Sequence, residues 1–256
     1  MCTANQVPFQ KLSSRHVKFI KSLRLKKYRQ QEKAFLVEGA KNVAQLLAAP
    51  HTVQMLVGTP SFLAAHQALW QHRVEAVFQT DKATLAGLGT LTANQAALAV
   101  APIPAQSSEA LPQEAWGLVL DDIRDPGNLG AILRIAAWYN IPTVVCSPTT
   151  VDLYNPKVLQ ASMGAFLQVQ VHYTPLPTLL SHTTQPILGT FTAGDNLHHV
   201  SLPCPSWIVI GNESQGIRPA VMPYIQQRIT IPRYGQTASL NAAMATAIVC
   251  DHWKRQ

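Results

Sequence analysis

The sequence predicts two α/β domains in tandem, the second built on a parallel sheet. Three observations carry that prediction. Helical and extended stretches alternate along most of the chain, one proline-rich stretch interrupts the alternation, and the strands beyond it are almost continuously apolar. At 256 residues the chain has the length of one large domain or two small ones. Its 47% of hydrophobic and 13% of charged residues exclude a disordered chain.

In the first half, residues 12–30 read as one helix, with Ser13 and Ser14 as caps and His16, Phe19, Ile20 and Leu23 on one face. Strands are expected at 35–37, 53–57, 74–78 and 96–101, and helices at 41–49 and 61–71, with a short one after Asp81. Residues 102–115 hold three prolines and two serines and show no regular period, which marks a linker. This divides the chain into a domain at 1–101 and a domain at 116–256. In the second domain, strands are expected at 117–120, 143–146, 168–172, 187–191, 207–210 and 228–231. Helices are expected at 129–140, 156–164, 176–182 and 240–253.

The net charge is +7, and its location matters more than its size. Nine basic residues and one acid, Glu32, lie between Lys11 and Lys33, so the arm carries the whole excess. A block of this kind points to a polyanion, nucleic acid or a membrane surface; the alternative is a solvated helix face. No run approaches the ~18 apolar residues of a membrane span. Residues 1–10 lack the layout of a secretion signal, so the expectation is a soluble cytoplasmic protein. Cys2, Cys146, Cys204 and Cys250 show no metal or disulfide spacing, and the nine histidines show no ligand spacing, so no metal is expected. Cys146 and Cys250 lie in apolar runs, as buried thiols do.

Several familiar fingerprints fail. No G-x-G-x-x-G follows a strand, which weakens a nicotinamide-dependent oxidoreductase reading. The run 211–216 has P-loop glycine spacing but lacks the lysine and hydroxyl. Ser214 lacks the first glycine of a nucleophile elbow. Three polar loops remain, at 121–130, 211–216 and 231–241, each directly after an apolar strand. Loops at the carboxyl ends of parallel strands are where such sheets bind ligands. Either each is a turn with a helix cap, or together they form one pocket.

Three ordered blocks in these loops carry a resemblance: Asn128-Leu-Gly-Ala-Ile-Leu-Arg134, Ile208-Val-Ile-Gly-Asn-Glu213 with Gly216, and Ile229-Thr-Ile-Pro232 followed by Ser239-Leu-Asn241. The chain resembles the SpoU (TrmH-type) RNA 2′-O-ribose methyltransferases of the SPOUT superfamily. Residues 12–100 are similar to the substrate-binding domain attached to many of them. The resemblance implies a parallel-sheet catalytic domain closed by a trefoil knot and dimerised through its C-terminal region, with S-adenosylmethionine as cofactor. It places Thr190, Gly211, Ile231 and Leu240 at the cofactor. Arg134 becomes the catalytic arginine, orienting an RNA phosphate and stabilising the developing alkoxide, because a guanidinium keeps its proton at neutral pH. Asn128, Glu213, Ser239 and Asn241 would hold Arg134, the ribose or the phosphate. Lys18, Lys21, Arg24, Lys26, Lys27 and Arg29 would grip RNA phosphates. The implied substrate is ribosomal RNA, with transfer RNA second. The alternative from another class is a non-catalytic RNA-binding protein that kept the fold. The last helix, apolar nearly all round, is expected to be buried within the domain or against a second subunit.

Overall fold

The computed structural model describes residues 9–91, 94–105, 111 and 114–255. The expectation about residues 1–10 and much of the linker expected at 102–115 lie outside them. The chain forms two compact units. One joins Met1–Ala105 with Tyr154–Gly164; the other joins Gln106–Leu153 with Ala165–Gln256.

The first unit contains, in chain order, α1 (Ser14–Ser22), α2 (Lys26–Glu32), β1 (Ala34–Glu38), α3 (Ala40–Ala48) and β2 (Val53–Gly58). These are followed by α4 (Pro60–Ala65), α5 (Gln67–Trp70), β3 (Val74–Gln79), α6 (Lys82–Leu88) and β4 (Ala97–Pro102). The sheet order is β1-β4-β2-β3. β4 is antiparallel to both neighbours, and β2 and β3 are parallel. Ile20, Leu23, Leu36, Val57, Phe78 and Leu98 meet in its core. Glu38 is buried where β1 ends and accepts from the Thr90 amide and hydroxyl and from the Leu91 amide. The Glu38 carboxylate therefore pins a distant turn.

Residues 12–30 do not form the single helix expected. α1 stops at Ser22 and α2 begins at Lys26. The break is held by Arg29, whose guanidinium donates to the carbonyls of Leu23 (2.9 Å) and Arg24 (2.8 Å). Those carbonyls would otherwise be left open at a helix end. A second helix, expected at 61–71, divides at His66 into α4 and α5.

The second unit is built on β5 (Gly117–Leu120), α7 (Pro126–Trp138), β6 (Thr143–Cys146), β7 (Gln170–Tyr173), α9 (Leu176–Leu180), β8 (Ile187–Asn196), β9 (Trp207–Ile210), β10 (Gln227–Thr230) and α10 (Ala242–Lys254). The intervening helix α8 (Pro156–Ser162) belongs to the first unit, where it packs on β1 and Tyr154 stacks 4.5 Å from Phe35. The six strands are all parallel, in the order β10-β8-β9-β5-β6-β7. β5, β6 and β9 are buried at every position, which matches their unbroken apolar runs. α7 starts at Pro126, three residues earlier than expected. Asp125 accepts from the Asn128 amide and caps the helix, and proline suits the first turn.

Between β10 and β8 the register jumps. Arg228 pairs with Gly189 and the next residue, Ile229, pairs with Asp195, so residues 190–194 bulge out of the ladder. Among the described residues no helix is long and apolar enough to cross a membrane.

Candidate active site

A cleft of about 880 Å³ opens outside the carboxyl ends of β8, β9 and β10. It is lined by the bulged residues Thr190 to Thr192, by the loop after β9, by Ile229 and Thr230 at the end of β10, and by residues 231–235 and 237–240 between β10 and α10. Its position agrees with the general rule for open parallel sheets. The four expected cofactor positions, Thr190, Gly211, Ile231 and Leu240, all line it. Thr190 is fixed by its hydroxyl donating to the Val209 carbonyl at 3.1 Å. Gly211 tolerates no side chain: a Cβ there would fall 2.4 Å from the Gly216 carbonyl carbon and 2.5 Å from the Ile217 nitrogen. Gly216 closes the loop with a positive φ of 69° and a reciprocal pair of backbone bonds to Asn212.

Three of the expected catalytic residues lie in one hydrogen-bond chain. Asn241 Nδ2 donates to Asn128 Oδ1 at 2.8 Å, and Asn128 Nδ2 donates to Glu213 Oε1. These residues come from loops separated by 113 and 85 positions in sequence. Asn241 also accepts from the amides of Ala243 and Met244, which makes it the cap of α10. Ser239 lies exposed on the cleft-lining loop. Arg134 lies on α7, six residues past Asn128, which turns it about 120° around the helix. It is exposed and, among the described residues, is held by no ion pair or hydrogen bond.

The basic arm divides into two groups. Lys18, Lys21, Lys26 and Lys27 are exposed. Arg29 is only 3% exposed and serves the helix break, so it is a structural arginine and not a phosphate contact. Arg24 is half-buried; its guanidinium donates to the carbonyls of Leu88 (2.8 Å) and Gly89 at the end of α6. The charge pattern did not distinguish these two arginines from the lysines: Arg24 is held by carbonyls 64 and 65 positions away, and Arg29 by carbonyls five and six positions back that open only because the helix breaks.

Two aspartates that the sequence reading passed over sit at the end of β5. Asp121 is fully buried and accepts from the Arg218 amide (2.8 Å) and from its guanidinium Nε (2.7 Å). Asp122 adopts a left-handed backbone, φ 61°, and its carbonyl accepts from Asn212 Nδ2 at 2.8 Å. Burial works to raise the Asp122 carboxyl, but a hydrogen bond from Thr149 and the charges of Arg124 and Arg218 outweigh it. The carboxyl is held below the ordinary aspartate range. Asp-Asp after an apolar strand was the available signal; its partner lies 97 residues on.

Cys146 and Cys250 are buried, and burial pushes the Cys250 thiol up to about 12. Among the described residues no His, Cys, Asp and Glu side chains cluster as a metal site.

Known proteins share both units. The profile of the SpoU rRNA methylase family matches residues 116–251, and that of the MRM3-like substrate binding domain matches residues 14–99. The chain is similar to the 23S rRNA (guanosine(2553)-2′-O)-methyltransferase RlmP of Bacillus subtilis, with 26% identity over 92% of this chain and 94% of that protein. It spans about half the length of several other curated relatives. A solved protein of Porphyromonas gingivalis assigned to the TrmH family of RNA methyltransferases is 38% identical, covering 96% of this chain and 99% of that one, with a TM-score of 0.86. An rRNA methyltransferase of Sinorhizobium meliloti, solved with AdoMet bound, shares the fold: TM-score 0.84, 22% identity, 98% of each chain covered.

Proposed function

Since the chain belongs to the SpoU rRNA methylase family, we propose that it methylates a ribose 2′-oxygen of ribosomal RNA with S-adenosylmethionine as donor. The observation that carries this reading is the Asn241–Asn128–Glu213 chain, which draws three distant loops together beside the large cleft.

The cleft suits the cofactor. Its volume lies in the range of small-molecule sites, and Ile210, Ile231 and Leu240 offer an apolar wall for a purine. The side-chain-free Gly211 lets the backbone approach closely, and Thr190 stands at the edge. S-adenosylmethionine supplies a methyl group on a sulfonium, already a good leaving group. What the chain must add is alignment of the hydroxyl and stabilisation of the oxygen as its proton passes to solvent and the sulfonium's methyl bonds to it. Asn128 has both ends of its amide engaged, so it holds Glu213 and the start of α10 in register. Arg134, without a partner among the described residues, is available to orient an RNA phosphate and to stabilise the alkoxide. Ser239, exposed on the loop, is placed to bond ribose or phosphate. The exposed Lys18, Lys21, Lys26 and Lys27 give the RNA affinity without base readout.

A symmetric dimer completes the reading. α10 buries Ala242, Ala243, Thr246, Val249, Cys250 and Trp253 but leaves Met244 64% and Ile248 38% exposed, and Trp138 at the end of α7 is 83% exposed. Such a stripe is what a second copy covers. The threaded C-terminal segment of the family and a cytoplasmic location belong to the same proposal.

The test is calorimetry with S-adenosylmethionine, together with methyl transfer to ribosomal and transfer RNA. Mapping of 2′-O-methyl sites in total RNA with and without the protein locates the target. Cofactor binding with transfer to ribosomal RNA is expected. RNA binding without cofactor binding would establish the non-catalytic alternative, and transfer confined to transfer RNA would displace the substrate.

A further inference from the structure

The loop that carries Glu213 is gripped at both ends by two consecutive residues of β5's exit. Before Glu213, Asn212 donates its Nδ2 to the Asp122 carbonyl, and its own Oδ1 accepts from the amides of Ser214 (2.9 Å) and Gln215 (3.2 Å). After it, Arg218 binds Asp121 through backbone and guanidinium together, with Nη2 2.6 Å from Oδ1. The Asp121 side chain is wholly buried and the Arg218 side chain about a third exposed. Asp122 holds a positive φ, in the left-handed region that aspartate enters more readily than most residues other than glycine. The surrounding bonds fix it: its amide donates to Ser147 Oγ at 2.9 Å, and that hydroxyl lies 3.0 Å from Thr150 Oγ1, which donates to the Leu120 carbonyl.

We propose that Asp121, Asp122, Asn212 and Arg218 form a clamp that sets the position of Glu213 toward Asn128, and that Arg218 is a positioning residue for methyl transfer. This inference rests on the proposed function. A buried carboxylate bound at once by an amide and a guanidinium is a costly arrangement to keep for packing alone. Here it fixes the far end of the loop, seven residues past Gly211, while Asn212 fixes the near end, one residue past it. With both ends held, Glu213 has little freedom left except along its own side chain, and that side chain bonds Asn128.

Arg218→Ala would strand the Asp121 charge, so the informative variants are Arg218→Lys, which keeps the charge and loses the fork, and the neutral pair Asp121→Asn with Arg218→Gln. Each is made in the wild-type and the Glu213→Gln background. Three readouts are taken: hydrogen exchange of the 212–217 amides without ligand, S-adenosylmethionine affinity by calorimetry, and kcat against KM for RNA. The expected result for Arg218→Lys is exchange at 212–217 at least tenfold faster with β5 and β9 unchanged. kcat should fall about tenfold with KM for RNA within twofold, and the variant should add less than twofold to the loss already caused by Glu213→Gln. The neutral pair should recover part of both losses. Unchanged protection at 212–217, or losses that multiply in the Glu213→Gln background, would overturn the clamp while leaving the methyltransferase reading intact. If the unmodified protein neither binds the cofactor nor transfers methyl, that reading fails, and the exchange experiment still decides whether the clamp orders the loop.

Discussion

Asn128 is the residue on which the site turns, because its amide is fully engaged: nitrogen toward Glu213, oxygen toward Asn241. Replacing it with aspartate keeps the shape but sets a carboxylate against a carboxylate. Asn128→Asp should therefore lose most activity and about 1–3 kcal/mol of stability, measured by urea denaturation. Arg134 gives the opposite profile. It has no partner among the described residues, so Arg134→Ala should change stability by no more than about 0.5 kcal/mol and leave cofactor affinity unaltered. Methyl transfer should fall on the order of a hundredfold or more; undiminished transfer would remove Arg134 from the reaction. Asp122 makes a prediction in pH. Its folded carboxyl lies below the ordinary value of about 3.9, so its contribution is complete above that value and is lost as pH falls through the lower folded value. The urea midpoint of the wild type should drop more steeply below about pH 4 than that of Asp122→Asn. At this scale Asn128, Glu213 and Asn241 stood out only through the resemblance of three short blocks to a known family, since the loops read by themselves left turn and pocket both open. The Asp121–Arg218 pair did not stand out, because a partner 97 positions away leaves no periodic trace.

Elements were legible where a strand is a solid apolar run or a helix begins at a cap. Strands 117–120, 143–146 and 207–210 coincide with β5, β6 and β9. The exceptions have local causes. The helix expected at 12–30 breaks because Arg29 turns inward to satisfy open carbonyls, and a basic residue on a basic face gives no sign of doing so. α10 begins at Ala242 and not at 240 because Asn241 caps it. The loop after β9 depends on Gly211. Gly211→Ala forces a methyl to within 2.4 Å of backbone, where only a shift of the chain relieves the overlap. The variant should remain folded on its sheet but bind S-adenosylmethionine at least tenfold more weakly by calorimetry. In the first unit, replacing Lys18, Lys21, Lys26 and Lys27 together by alanine should flatten the salt dependence of RNA binding by up to about three units of log–log slope. Arg29→Ala should instead lower the thermal midpoint, because it removes a buried donor from two helix-end carbonyls.

For the molecule as a whole, the alternation of elements was enough to read two α/β domains. It could not show that residues 154–164 would join the first unit, since α8 has the same helical pattern whichever sheet it covers. The exposed face of α10 makes the assembly testable. Met244→Lys with Ile248→Lys should convert a dimer to a monomer in light scattering, and a monomeric wild type at micromolar concentration would count against the interface.

α7 and α10 run side by side in the same direction. Asn128 meets Asn241 at their starts, and the Tyr139 hydroxyl meets Asp251 (3.2 Å) near their ends. Both helices, thirteen residues each, therefore bring their amino ends to Glu213 and the cleft. Each such end carries roughly half a positive charge from aligned peptide dipoles. This field is part of the backbone and cannot be titrated away, and close to the helix ends salt screens it little once solvent is excluded. It favours the ribose oxygen as it gives up its proton and takes on negative charge, before that charge is neutralised by bonding to the incoming methyl. Rising ionic strength should accordingly raise KM for RNA, as lysine–phosphate contacts weaken, while kcat stays nearly level.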